Sequence, residues 1–101
     1  MSDKTYIEIC KNDKKTVQLS VWTTEGIKLI PSAAYYEVKD SKKNKVIISK
    51  SPANIDDNKV YTKITTTVTA SANEYDLYWE LRRTDGDVDN HCTKILVIDT
   101  C

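Results

Sequence analysis

Three aspartates stand at alternating positions in the stretch TDGDVDN, at Asp85, Asp87 and Asp89. Carboxylates at this spacing are the first ligands of an EF-hand calcium loop, which also needs a glycine at position 6 and a bidentate glutamate at position 12. Counted from Asp85, those two positions hold Asn90 and Leu96. The EF-hand pattern is therefore incomplete, and we expect neither a resident metal nor another cofactor.

Two interpretations of the acidic stretch remain open. The three aspartates could contribute to a weaker calcium site shared with Asp56 and Asp57 of another loop, because calcium binds carboxylate oxygens. Alternatively, the Asp-Gly pair at residues 85–86 supplies the positive φ that a hairpin turn requires. The residues on either side have the pattern of strands rather than of helices. The sequence therefore favours the acidic tip of a hairpin.

Catalytic chemistry has few candidates in this chain. The single histidine, His91, is followed directly by Cys92. Neighbouring residues of a strand point to opposite faces, so this imidazole is badly placed to activate this thiol. The only glycines are Gly26 and Gly86, too few for a glycine-rich phosphate loop. We therefore expect no enzymatic activity.

Outward-facing tyrosines are the better candidates for a functional surface. Tyr35, Tyr61 and Tyr78 could form an exposed aromatic stripe beside lysines such as Lys63. Such a stripe could stack on single-stranded nucleic acid or on sugar rings. Aromatic residues are also enriched at the centres of protein interfaces, and we favour that interpretation. Because loops commonly carry binding, the expected protein contacts also include the hairpin of residues 85–91, with Asp85, Asp87, Asp89 and His91.

Composition indicates one neutral domain, comprising residues 1–101. The chain has 15 Lys and Arg residues against 15 Asp and Glu residues, so its formal net charge is zero. No overall field draws it to nucleic acid or to a membrane. No window approaches the roughly 18 apolar residues of a membrane span, and the N-terminus has no apolar signal segment. We therefore expect a cytosolic protein.

The cysteines point in the same direction. Cys10, Cys92 and Cys101 are odd in number and are not at metal-ligand spacing. This pattern fits reduced thiols in a cytosol better than a disulfide framework, with Cys101 exposed. A single bridge between Cys10 and Cys92 is the alternative, if the first and last strands are neighbours.

Apolar residues recur with a period of two along nearly the whole chain, as in strands that have one buried face. The pattern predicts strands at residues 6–10, 17–22, 33–39, 46–50, 60–64, 74–83 and 93–98. The threonine-rich residues 64–71 either extend the fifth strand or form a loose edge. The last strand is apolar on both faces near its end, so we expect the first strand or a neighbouring chain to cover it.

About seven short antiparallel strands with turn signals between them are typical of an all-β, immunoglobulin-like β-sandwich. Trp79 is expected to fill the space between the sheets. Tyr75 is either a tyrosine corner, with its hydroxyl bonded to backbone, or a plain core residue. The Cys-Trp-Cys arrangement of antibody domains is absent. The predicted core consists of Val17, Leu19, Val21, Tyr36, Tyr75, Leu77 and Trp79.

The order of segments over residues 16–99 is similar to that of small immunoglobulin-like virion proteins of tailed bacteriophages. The segments are VQLSVW, TTEGIKLIP, AAYYEVKD, KVIISKS, IDDNKVYTKI, YDLYWELRRTDG and TKILVID. The pattern resembles the N-terminal domain of the phage baseplate upper protein, in which a tyrosine-led strand ends in an Asp-Gly hairpin.

The resemblance implies a non-enzymatic structural protein, assembled in a bacterial cytosol, that self-assembles and binds other virion subunits. No fibre or receptor-binding region follows the sandwich, so we expect a head decoration, auxiliary capsid, neck or head-fibre component rather than a tail protein. The expected partner is the major capsid protein or another virion protein, with a homo-oligomer also possible. Two rivals remain: a carbohydrate-binding or adhesion module, and a small intracellular regulator that binds a host protein.

Overall fold

A computed structural model describes residues 6–99 and 101 of the chain. Eight strands and a single helical turn follow one another in this part. The strands are β1 (Tyr6–Cys10), β2 (Lys15–Ser20), β3 (Ala33–Asp40), β4 (Val46–Pro52), β5 (Asn54–Asp56), β6 (Lys59–Ile64), β7 (Asn73–Arg82) and β8 (Val88–Ile98), and the helix α1 (Thr66–Thr69) lies between β6 and β7.

The strands form two sheets, one with the order β1-β8-β7-β3-β4 and one with the order β2-β6-β5. The expected all-β, sandwich-like fold is confirmed. Two details differ from the expectation: the described residues contain eight strands rather than seven, and β1 pairs with β8 in parallel. The short β5 was missed because three residues are too few to show a period of two.

The longest hairpin joins β7 and β8. Its ladder runs from Asn73 opposite Val97 to Arg82 opposite Val88. The last strand therefore begins five residues earlier than predicted, because pairing to β7 continues up to the turn at residues 83–87. The residues of that early part are mostly polar and exposed, so alternation alone could not reveal them.

One apolar core lies between the two sheets. Trp79 is 1% exposed, and its indole Nε1 donates a hydrogen bond to Thr93 Oγ1 at 3.3 Å. The predicted core is confirmed, with Leu19 and Tyr36 at its margin. The buried apolar residues are Ile9, Val17, Val21, Ala34, Val38, Val60, Ile64, Val68, Tyr75, Leu77, Trp79, Leu81, Ile95 and Val97.

Tyr75 belongs to this core, with 5% of its surface exposed. Within residues 6–99 and 101, no hydrogen bond joins its hydroxyl to the backbone. Of the two interpretations, the structure supports a plain core tyrosine.

The threonine-rich segment forms neither a strand extension nor a loose edge. Residues 66–69 make the helical turn α1, in which Val68 and Thr69 are buried. The Thr69 hydroxyl donates a hydrogen bond to the Asp13 carbonyl at 2.7 Å. Burial of one apolar and one polar side chain thus overrides the local β preference of threonine.

The cysteine expectation is wrong. A disulfide joins Cys10 to Cys101, with their Cα atoms 6.1 Å apart, and Cys92 is a free, exposed cysteine. The parallel pairing of β1 with β8 places Cys10 opposite Ile98, three residues before Cys101. Cys92 pairs with Tyr78 of β7 and lies six residues before Ile98, the residue opposite Cys10, so it is too far along β8 to bond with Cys10.

The connections between strands meet at two opposite ends of the sandwich. Segments 21–32, 57–58 and 83–87 lie at one end, here called the hairpin end. There the Val21 N–H donates to the Asn58 carbonyl and the Ser32 N–H to the Arg82 carbonyl, both at 2.8 Å. Segments 11–14, 41–45 and 65–72 lie at the other, here called the disulfide end, together with residues 99 and 101. In the part of the chain that the structure describes, no helix is long and apolar enough to cross a membrane.

Candidate protein-contact site

The five-stranded sheet turns one face away from the core, here called the outer face. Its central residues come from alternate positions of β3, β7 and β8, because successive side chains of a strand point to opposite sides. Pairing aligns Tyr35 with Glu80, and Tyr78 with both Glu37 and Cys92. The outer face comprises Tyr35, Glu37, Lys39, Asp76, Tyr78, Glu80, Arg82, Asn90, Cys92 and Lys94.

The aromatic ring of Tyr35 contacts two cationic side chains. Lys50 Nζ lies 5.1 Å and Arg82 Cζ 5.0 Å from the centroid of its ring. Both cations also bind Glu80 Oε2, at 2.8 Å for Lys50 Nζ and 3.1 Å for Arg82 Nε. The hydrogen bond from Lys50 is the main cause that lowers the pKa of Glu80. The ring and the three charges therefore form one ordered cluster.

Tyr78 occupies the middle of the outer face and is 38% exposed. Lys39 Nζ lies 5.6 Å from the centroid of its ring. Partial burial, followed by the charge of Asp76, raises the pKa of Tyr78. Asp76 Oδ1 itself lies 2.8 Å from Lys94 Nζ, and this contact raises the pKa of Lys94.

A shallow depression of about 220 Å³ lies between the two tyrosines. Pockets for drug-sized ligands usually enclose about 300–1,000 Å³, so this depression is small for such a ligand. Its walls are formed by Tyr35, Tyr36, Glu37, Lys39, Lys50, Tyr78, Trp79, Glu80 and Asn90.

The third expected tyrosine does not join this site. Tyr61 belongs to β6 of the three-stranded sheet, between the buried Val60 and Thr62. Its ring therefore points away from the core on the opposite side of the sandwich. The expectation of a single stripe was wrong, since alternation shows which residues face outward but not to which sheet a strand belongs.

The acidic stretch forms the turn of the β7–β8 hairpin. Asp85 Oδ1 accepts the N–H of Asp87 at 3.0 Å, and Gly86 adopts a φ of 93°. Asp89 binds Arg83 through both carboxylate oxygens, at 2.7 and 3.2 Å, which raises the pKa of Arg83. The side chains of Asp85 and Asp89 thus stabilise the turn, and Asp87 takes part through its backbone, in agreement with the hairpin interpretation.

A calcium site shared with a second loop finds no support in this geometry. Asp57 Oδ2 lies 3.1 Å from Lys28 Nζ, and this hydrogen bond lowers the pKa of Asp57. Across residues 6–99 and 101, no three acidic, histidine or cysteine side chains converge as metal ligands would.

His91 and Cys92 point to opposite faces of β8, as expected. His91 pairs with Trp79 and Cys92 with Tyr78, and both residues are exposed. Partial burial, and then the charge of Asp76, raises the pKa of the Cys92 thiol. Because the thiolate is the reactive form, Cys92 is a poor nucleophile at neutral pH. Because the His91 side chain points to the other face of β8, it does not line the depression, whereas Asn90 does.

Sequence reasoning missed an apolar loop at the hairpin end. Trp22, Ile27 and Ile30 are 53%, 64% and 58% exposed. Antiparallel pairing of Trp22 with Lys28, and a hydrogen bond from the Thr23 N–H to the Ile27 carbonyl at 2.8 Å, give the loop a defined shape. The segment WTTEGIKLIP does show a signal of this loop. Between Gly26 and Pro31 it has three apolar residues whose spacing fits neither a strand nor a helix.

No family model, curated protein or solved structure matches this chain.

Proposed function

We propose that this chain is an immunoglobulin-like β-sandwich that acts as a non-enzymatic structural protein of a tailed bacteriophage particle. Its outer face would bind a virion subunit that is present in many copies, such as the major capsid protein. The observation that carries the protein-binding part is the ordered cluster of Tyr35 and Tyr78 among paired charges on an exposed sheet. The phage context rests on the sequence resemblance.

The strand order supports the immunoglobulin-like assignment. In immunoglobulin domains one sheet contains neighbouring strands B, E and D, and the other contains C, F and G. The order β2-β6-β5 corresponds to the first set, and β3-β7-β8 to the second, with β4 beside β3. The tryptophan departs from the antibody pattern, because Trp79 lies on β7 rather than on β3.

The chemistry of the outer face favours a protein over a sugar. A sugar ring stacks on an open aromatic face, whereas Lys50 and Arg82 already lie over the ring of Tyr35. Tyrosine and arginine are enriched at the centres of protein interfaces. A protein partner has charged side chains that can form new ion pairs with Glu80 and Asp76. These carboxylates would then stay paired when the partner covers them.

A repeated partner suits a surface of this kind. The depression is shallow and its rim is charged, so each contact is expected to be weak. Many equivalent sites on one particle would raise the effective affinity without any new contact.

The disulfide fits a particle surface. Disulfides persist on virion surfaces and are rare in a bacterial cytosol. In this proposal the chain is made with reduced thiols, and Cys10 bonds to Cys101 outside the reducing compartment, where an oxidant such as molecular oxygen accepts the two electrons and two protons that the thiols lose.

The experiment is quantitative mass spectrometry of particles assembled with tagged variants of this chain. The Tyr78→Ala variant should lower its copy number per particle severalfold. Tyr61→Ala is the matched control, because it removes a tyrosine from the opposite sheet, and it should leave the copy number unchanged. Absence of the wild-type protein from purified particles would refute the virion proposal, and specific retention on a glycan array would favour the carbohydrate-binding rival.

A further inference from the structure

The two ends of this neutral molecule carry opposite charge. The segments of the hairpin end have four carboxylates, Glu25, Asp57, Asp85 and Asp87, against two cations, Lys28 and Arg83. The segments of the disulfide end have five lysines, Lys11, Lys14, Lys42, Lys43 and Lys45, against two carboxylates, Asp13 and Asp99. Although the net charge of the chain is zero, the molecule therefore has an acidic end and a basic end.

The distance between the ends keeps these two charges separate. The ten residues of β7 run from one end to the other, which corresponds to about 33 Å at the usual rise per residue. The screening length at physiological ionic strength is about 8 Å. Each end therefore presents its own charge to an approaching molecule.

Exposed apolar side chains are concentrated at the acidic end. Trp22, Ile27 and Ile30 belong to its long loop, and Val88, which is 49% exposed, follows its hairpin turn. At the basic end Val46, 44% exposed, follows segment 41–45. The aliphatic stems of lysines can cover apolar surface while their ammonium groups remain in water. An ammonium group can also bind the face of an indole ring.

We propose that copies of this chain associate end to end, with the hairpin end of one copy contacting the disulfide end of the next. Carboxylates of the first copy face lysines of the second, and Trp22 packs among the lysine stems. Contact between two hairpin ends would bring carboxylates together, so the association is head to tail. Such heterologous contacts propagate into a row, or close into a ring if the rotation permits.

This contact does not involve the outer face. The half-buried Tyr35 and the exposed Tyr78 remain uncovered along the row, so the binding of a virion partner and self-association are separable properties. The Tyr78→Ala variant should self-associate like the wild type.

The first test is sedimentation velocity over a range of protein concentrations. The average mass should rise with concentration at an ionic strength of about 10 mM, and return towards the monomer near 1 M, as the screening length falls from about 30 to about 3 Å. The Trp22→Ala variant should weaken the association about tenfold, because the indole is a central contact of the proposed interface. A wild-type protein that remains monomeric at every concentration and low salt would overturn the proposal.

Charge reversal identifies the two surfaces. One variant combines Glu25→Lys with Asp87→Lys, and the other combines Lys42→Glu with Lys45→Glu; all four side chains are exposed. Each variant alone should be monomeric, whereas an equimolar mixture should associate, because the intact disulfide end of the first fits the intact hairpin end of the second. Gln18→Lys, in the exposed middle of β2, should have no effect. If either variant alone associates like the wild type, or if the mixture stays monomeric, the head-to-tail contact is wrong.

Discussion

The hairpin end and the disulfide end connect the same strands, yet different contacts hold them together. At the disulfide end a covalent bond joins Cys10 to Cys101, and the buried Thr69 ties α1 to the β1–β2 turn. At the hairpin end two side-chain contacts join the segments. The buried Asn58 amide donates a hydrogen bond to the Val21 carbonyl at 3.0 Å, and Lys28 forms an ion pair with Asp57 in which both side chains are about half exposed. The disulfide end has a covalent link, while the hairpin end carries more of the exposed apolar side chains.

This difference suggests a division of labour between the ends. Buried hydrogen bonds and a cross-link stabilise a fold, whereas exposed ion pairs contribute little. Large exposed apolar side chains do not stabilise the monomer and are more useful in contacts with another molecule. We therefore expect removal of the covalent link or of buried contacts to change stability, and substitution of the exposed side chains of the hairpin end to change association.

Removal of the disulfide should have the largest effect. The Cys10→Ser variant opens a loop with a sequence separation of 91 residues, and it should lose about 2–4 kcal/mol of unfolding free energy. Cys92→Ser is the matched control and should change stability by no more than about 0.5 kcal/mol, because Cys92 is exposed and unbonded. Denaturant unfolding measures both. Equal stability of Cys10→Ser and the wild type would show that the bond is not part of the fold in solution.

The Thr69→Val variant should have the next largest effect. It keeps the shape of a side chain that is 0% exposed but removes the hydrogen bond to the Asp13 carbonyl, and should cost about 1 kcal/mol. Thermal unfolding measures the change. The Lys28→Met variant removes only an exposed ion pair at the hairpin end. A loss of stability in this variant as large as that of Thr69→Val would contradict the comparison between the two ends.

Asp40 should make the disulfide end sensitive to acid. Hydrogen bonds to its carboxylate, chiefly from the Lys43 N–H, lower the pKa of Asp40 below its ordinary value of 3.8. The folded state therefore favours the ionised form. This contribution to stability is complete above pH 3.8 and is lost as the pH falls through the lower folded pKa.

The Asp40→Asn variant isolates this contribution. Its stability should be lower than that of the wild type near neutral pH, and the two curves should converge in acid. Melting temperatures recorded between neutral and acidic pH would show the convergence. A constant difference between the curves at every pH would mean that the ionisation of Asp40 does not contribute.

The smallest effect on stability is expected at the hairpin end. The Trp22→Ser variant removes a ring that is 53% exposed, and it should change the free energy of unfolding by no more than about 0.5 kcal/mol. Its self-association should nevertheless weaken. A large loss of stability would show that Trp22 packs within the monomer.

The strands that alternate most clearly were predictable from the sequence. Tyr75, Leu77, Trp79 and Leu81 stand at alternate positions of β7, and all four are buried. The hairpin role of the Asp-Gly pair was also readable, because a turn of this kind depends on its own few residues. These features are local, and local chemistry determines them.

Features that depend on distant pairing were not predictable. The disulfide requires the parallel alignment of β1 with β8, which lie at opposite ends of the sequence. Tyr61 and Tyr78 have the same alternating surroundings, but their strands belong to different sheets. The charged ends emerge only when each turn is assigned to its end of the sandwich, and that assignment depends on how the strands pair in the two sheets.

The most direct test of the comparison between the ends is small-angle X-ray scattering at low ionic strength. The monomer has a longest dimension of 42 Å. Head-to-tail association along the strands should extend the distance distribution to about twice this length, and high salt should restore the monomer value. An unchanged longest dimension under conditions where the mass doubles would mean that the copies lie side by side, and would contradict the account.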